Sequence, residues 1–160
     1  MKRLALASVG LFLLPGCWNS AKKSAPEQAA SLYVVNVLSK SMYDDARIKG
    51  SIHMDLNDLD EYAAKFDKDT PIVFYCSNYQ CSASGHAAKV FKNAGFKHVY
   101  AFEGGVAQWA QLGYPMEGPQ TESISGYLKY VPEAPAEQEH EYGVLSAQAL
   151  KEMMEKAGLL

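Results

Sequence analysis

The stretch that most constrains this chain is Ile72-Val73-Phe74-Tyr75-Cys76, followed by Ser77-Asn78-Tyr79-Gln80-Cys81 and then by Ser82 to Ala88. Four consecutive β-branched and aromatic residues make a strand that is apolar on both faces. Such a strand belongs inside a sheet covered on both sides. Cys76 ends it. The apolar spacing of Ala87, Ala88, Val90 and Phe91 predicts a helix from about Ser84 to Asn93, closed by Gly95. A cysteine between a strand's C-terminal end and a helix N-terminus lies where unpaired N–H groups and the helix dipole favour a thiolate or a bound anion. A lone cysteine is as often an inert core residue. Two cysteines bracketing a loop fit that plainer reading less well.

Strands and helices alternate around this unit. Leu32 to Leu38 is nearly continuous in apolar residues and predicts a central strand. Ser39 to Arg47 is polar and fits a turn with a short helix, and Gly50 marks a turn ahead of a brief strand, Ile52-His53-Met54. Leu59, Tyr62, Ala63 and Phe66 recur at helical spacing, ended by Asp67-Lys68-Asp69-Thr70-Pro71. Lys97 to Phe102 predicts one more strand, Glu103-Gly104-Gly105 a tight turn, and Val106, Trp109 and Leu112 a short helix stopped by Gly113. This alternation predicts an α/β fold, a mostly parallel sheet with helices on both faces, whose site lies beyond the strand C-termini.

At 160 residues the chain supports one domain with appendages, and its formal net charge of -3 gives no footing for a nucleic-acid partner. Three cysteines are too few for a disulfide scaffold. The third, Cys17, has its own context. Met1-Lys2-Arg3 is basic, Leu4 to Leu14 is an apolar run too short to span a bilayer, and Leu14-Pro15-Gly16-Cys17 resembles the bacterial lipoprotein signal. An uncleaved anchor and an ordinary secretory signal are the alternatives. The lipoprotein reading expects residues 1–16 to be removed, Cys17 to carry lipid, and 17–31 to be a flexible tether. The folded part then lies outside the cytoplasm, on the periplasmic side of a bacterial membrane. There disulfides persist, and Cys76 and Cys81 are the remaining thiols.

Several short stretches together resemble the rhodanese domain. They are Arg47 to Ile52, Phe74-Tyr75-Cys76, Ala87-Ala88, Gly95-Phe96, Glu103-Gly104-Gly105 with Trp109, and Gly113-Tyr114-Pro115, in that family's order. The resemblance spans roughly Tyr33 to Glu117, and we bound the domain at 32–118. It implies a three-layer fold around a five-stranded, largely parallel sheet, and a persulfide carried on Cys76. Departures are local. The family's acidic-Val-Arg stretch is Asn36-Val37-Leu38 here, and its Gly-His-Ile turn is Ala46-Arg47-Ile48. Its loop arginine, five residues after the cysteine, is replaced by Cys81.

Sulfur transfer needs a nucleophilic thiolate, donors around it, and room for a small anion. Cys76 is the candidate nucleophile and Cys81 the second catalytic thiol. N–H groups from Ser77, Asn78, Tyr79, Gln80, Cys81 and Ser82 would form a nest around the Cys76 sulfur, with hydroxyls from Ser82 and Ser84, one of which would also cap the helix. Arg47 and His86 are possible substrate contacts, although a solvated or structural role suits each as well. The expected partners are a small sulfur-containing anion such as thiosulfate and a thiol acceptor, with no cofactor. The scattered histidines offer no metal site. A phosphatase would need an arginine in the loop, and the only arginines are Arg3 and Arg47. Two other readings stay open. Cys76 and Cys81 could work as a redox dithiol, Cys81 resolving the persulfide with help from a reductant protein, or the domain could be a non-catalytic binding module.

The tail is unexplained by the resemblance. Residues 119–144 read as an extension and a Pro-, Ala- and Glu-rich linker. From 145 to 160 a helix is predicted, with Ser146 at its N-cap, Leu150, Met153, Met154 and Ala157 on one face, and Gly158 at its stop. Val144 to Leu150 resembles the segment that usually opens a rhodanese domain. We therefore expect this helix to dock on the domain in place of the helix missing from its start.

Overall fold

The computed structural model describes residues 31–120 and 139–160. Residues 1–30 and 121–138 lie outside the described residues, and with them the expected signal, Cys17 and most of the expected tether. In chain order the elements are β1 (Tyr33–Asn36), α1 (Lys40–Asp45), β2 (Arg47–Ile48), β3 (Ile52–His53) and α2 (Leu59–Lys65). Next come β4 (Ile72–Tyr75), α3 (Ala83–Asn93), β5 (Val99–Phe102), α4 (Gly105–Gln111) and β6 (Met116–Glu117), and finally β7 (Gly143–Val144) and α5 (Ala147–Lys156).

The main sheet runs β3-β1-β4-β5-β7 with every neighbouring pair parallel, as strands buried on both faces require. Because side chains alternate along a strand, Val35, Phe74 and Ala101 face one layer while Val34, Val73, Tyr75 and Phe102 face the other. Helices α2 and α3 cover the first layer with Leu59, Ala63, Ala87, Ala88 and Phe91. Helices α4 and α5 cover the second with Val106, Trp109, Leu150 and Met154. The resulting three-layer α/β fold with its five-stranded parallel sheet is the one expected.

Two details differ from the sequence reading. Residues 143 and 144, assigned above to the linker, form β7, which pairs Gly143 with Tyr100 and Val144 with Ala101 along the otherwise open edge of β5. The sheet reaches five strands only through this piece of tail. Arg47–Ile48 also pairs with Met116–Glu117 as a small antiparallel ribbon apart from the main sheet.

Helix α5 begins as its sequence predicts, the Ser146 hydroxyl accepting the Ala149 N–H at 3.2 Å, and ends at Gly158 in the left-handed region. Leu150 and Met154 are fully buried against the sheet, and Met153 is partly buried. Each of the two contributes on the order of 1.5–3 kcal/mol before ordering costs, enough to fix a helix of this length that would be marginal alone.

Candidate active site

Strand β4 delivers Cys76 to the C-terminal edge of the sheet, fully buried in the layer that α2 and α3 cover. Cys81 lies half-buried at the far end of the loop, two residues ahead of α3. The start of the loop is pinned from the α4 side. Val106 N–H donates to the Cys76 carbonyl at 3.0 Å and Ala107 N–H to the Ser77 carbonyl at 2.9 Å. Such close approach requires Gly105. Its φ is +60°, and a Cβ there would sit 2.5 Å from the Cys76 carbonyl oxygen. Asn78 organises the rest of the loop, its carbonyl accepting the Cys81 N–H at 3.0 Å and its side-chain oxygen the Gln80 N–H at 2.9 Å.

The loop thereby bends back until the two cysteines meet. The Cys76 thiol donates to the Cys81 carbonyl, with Sγ 3.0 Å from that oxygen, and lies 3.5 Å from Ser84 Oγ and 3.9 Å from the Asn78 carbonyl oxygen. Each thiol acts on the other's ionisation. Cys81 is pulled down to about 5, chiefly by the Cys76 thiol and further by the N–H groups of Ala83 and Ser77 and the Ser77 hydroxyl. Cys76 is pushed up by the Cys81 side chain first and by its burial second. One negative charge therefore sits on the more exposed sulfur, and the buried one keeps its proton.

This arrangement changes the roles expected of the loop. The amides predicted to surround Cys76 are partly spent elsewhere, those of Gln80 and Cys81 on Asn78, while Ser77 and Ala83 serve the Cys81 sulfur. Ser82 precedes α3 without a side-chain capping bond, and Ser84 turns its hydroxyl to Cys76. Tyr79 bonds Gln108 at 3.1 Å, and Gln80 is exposed. Arg47 is committed to Glu117 at 3.3 Å and lies over the Tyr43 ring, and His86 is exposed on α3. Among the described residues no cluster of His, Cys, Asp and Glu could hold a metal ion.

One neighbour of the site came from the tail. Tyr142 is buried in the same layer as Cys76, its hydroxyl 2.6 Å from where a Cβ on Gly85 would lie, one residue from Ser84. His140 stacks on Tyr142 and sits 3.7 Å from Glu103. An aromatic beside Gly143 was the available signal, hidden by the linker-like composition before it.

The fold and site define a parallel α/β domain that presents a cysteine-bracketed loop at the C-terminal end of its central strand. Lacking an arginine in that loop, it has no bidentate partner for a phosphoryl group. Residues 19–112 match the family model of the rhodanese-like domain, more than half of the chain, and the protein belongs to that family. The thiosulfate sulfurtransferase GlpE of Pseudomonas paraeruginosa is 34% identical over 101 residues, which cover 60% of this chain and 89% of that protein. The solved Alr3790 protein from Anabaena is 30% identical with a TM-score of 0.51, over 55% of this chain and 68% of that one. The BH2092 protein from Bacillus halodurans shares the fold, with a TM-score of 0.56 at 23% identity, over 62% of this chain and 72% of that one. Membership in the family is consistent with sulfurtransferase activity.

Proposed function

We propose that this protein is a sulfurtransferase that takes sulfane sulfur from a small anion such as thiosulfate onto Cys76 and passes it to a thiol acceptor. The observation that carries this reading is the paired state of the two cysteines. A buried thiol at the strand end is a poor nucleophile unless a base takes its proton, and the Cys81 thiolate lies beside it. As Cys76 Sγ attacks the outer sulfur of thiosulfate, its proton passes to Cys81, the sulfur–sulfur bond of the donor breaks, and sulfite leaves. The Cys76 persulfide then faces Ser84.

Intact mass after thiosulfate treatment tests this. The wild type should release sulfite, Cys81→Ser should release it more slowly for want of the base, and Cys76→Ser should neither gain sulfur nor release sulfite. An adduct retained in Cys76→Ser but lost in Cys81→Ser would reverse the assignment, and no adduct or sulfite in any form would leave a binding module instead.

The address belongs to the same proposal. The basic start, the apolar run and the Gly16-Cys17 junction support a lipidated Cys17 that holds the domain at the periplasmic side of a membrane. A mature N-terminus mapped anywhere but Cys17, or an unacylated product, would overturn it.

A further inference from the structure

We propose that Cys81 is the resolving thiol of this site: its sulfur attacks Cys76 Sγ of the persulfide, expels the sulfane sulfur as sulfide, and leaves a Cys76–Cys81 disulfide that an external dithiol reduces. The inference rests on the persulfide reading above and names its final acceptor, a dithiol in place of a sulfur carrier.

Geometry supports it first. With Cys76 Sγ 3.0 Å from the Cys81 carbonyl oxygen, standard bond lengths put the Cys81 Cα no more than about 5.4 Å from that sulfur. Bridged cysteines have Cα atoms about 4.4–6.8 Å apart, and closing to that span is a movement confined to this loop. The turn that brings Cys81 back is held by two bonds to Asn78, neither of which involves a side chain that must move for the sulfurs to join. Cys81 also packs against the buried cluster that contains Cys76.

Access supports it second. Cys76 is buried, so an external dithiol, bulkier than thiosulfate, meets more obstruction at its inner sulfur than the Cys81 side chain that already stands beside it. Once the disulfide has formed, Cys81 is its exposed half. An incoming dithiol attacks there and frees Cys76 as the leaving thiolate. The Ser84 hydroxyl at 3.5 Å from Cys76 Sγ stabilises charge on that leaving sulfur.

The steps balance. Loading consumes the Cys81 thiolate as base and leaves Cys81 protonated beside an anionic persulfide. In resolution a bond forms between Cys81 Sγ and Cys76 Sγ, the bond from Cys76 Sγ to the sulfane sulfur breaks, and the Cys81 proton leaves with the product as hydrosulfide. The sulfane sulfur gains two electrons, one from each cysteine sulfur. The external dithiol then supplies two electrons and two protons, and is itself oxidised to a disulfide. For each thiosulfate the products are one sulfite, one sulfide and one oxidised dithiol.

The full chain, reduced and held without oxygen, should be given one equivalent of thiosulfate with no other thiol present. Sulfite and sulfide are measured, and the peptides containing Cys76 and Cys81 are mapped against a sample given no thiosulfate. The wild type should release roughly equal sulfite and sulfide and hold a 76–81 disulfide, with further rounds only after dithiothreitol is added. In Cys81→Ser and in Cys81→Ala, which lack the base, sulfite should appear more slowly and is read at the endpoint. Sulfide per sulfite released should fall at least about tenfold and Cys76 should keep one extra sulfur atom. A stable Cys76 persulfide beside a free Cys81 in the wild type would overturn the proposal, whatever the variants do, and so would sulfide release that survives both Cys81 variants. Absence of sulfite from every protein would instead overturn the sulfurtransferase reading beneath it.

Discussion

The two faces of the sheet are built differently. The face covered by α2 and α3 comes almost entirely from chain between residues 33 and 102, and it holds the cysteine loop. The opposite face is half covered by α4 and half by α5, which arrives only after residues 121–138. One face is local and holds both loop cysteines. The other, among the described residues, holds neither, yet it needs a helix brought from the far end of the chain. Among the described residues, the tail's contribution to the buried cluster of the first face is one ring, Tyr142 over Gly85. Structural completeness and chemical function are thus assigned to different stretches of sequence.

Removing residues 139–160 is the severest way to break this division. It strips β5 of its edge partner and exposes the surface that Leu150 and Met154 cover, for a loss of about 5 kcal/mol or more, comparable with the whole stability of a small domain. Urea unfolding should show a shortened chain that is largely unfolded in water. A chain that retains its full midpoint would make the distant helix an ornament.

Single core truncations sharpen the contrast. Phe91→Ala, on the local face among Phe74 and Phe96, should cost about 3–5 kcal/mol, and Leu150→Ala about 2–5 kcal/mol. Hydrogen exchange separates them. The Leu150 variant should open α5 and β7 ahead of the rest, whereas the Phe91 variant should lower protection across β1, β4 and β5 together.

A third test concerns chemistry on the local face alone. Cys81 has its pKa depressed, so its thiolate is present above a midpoint at about 5 and is lost as pH falls through it. Iodoacetamide labelling of Cys81 should be nearly flat above pH ~6. Cys76→Ala removes the largest cause of that depression. The midpoint should climb toward the ordinary thiol value of about 8.5, and labelling at pH 7 should slow by roughly tenfold. Deleting α5's contacts by Leu150→Ala should leave this profile in place in the folded protein.

The smallest effect is expected where the tail touches the site. An alanine at position 85 gains about 1 kcal/mol in helix propensity, but its Cβ would meet the Tyr142 hydroxyl at 2.6 Å. Overpacking of that kind costs about 1–3 kcal/mol, so Gly85→Ala should destabilise by about 1 kcal/mol. Tyr142→Phe, which deletes the offending oxygen, should recover most of the loss in thermal unfolding.

Strands β1, β4 and β5 were legible because each is a near-continuous apolar run, and α5 because its cap, stripe and stop agree. The two-residue strands were not. Arg47–Ile48, Met116–Glu117 and Gly143–Val144 are too short for any periodicity, and β7 exists because the edge of β5 needs a partner. At the site, the sequence spacing put the two cysteines on one loop. Which sulfur keeps the proton was not legible, because it depends on Asn78 taking two loop amides while Ser77 and Ala83 serve Cys81. Nor does spacing reveal that Arg47 is held by Glu117.

An all-parallel sheet has two poles. Tyr33 N–H bonds the Pro71 carbonyl at the end where the strands begin, and Cys76 lies past the end where they finish, about 13 Å of strand away. Ser31 and Leu32 line a shallow cleft at the first pole together with Met153, Lys156 and Ala157 of the tail helix. The first and last described residues therefore lie toward one pole, and the cysteine loop lies at the other. An anchor ahead of Ser31, if Cys17 carries lipid as proposed, would act like a leash clipped behind the head, with the mouth at the far pole. A fusion joined ahead of Ser31 or after α5 would attach at the pole away from Cys81.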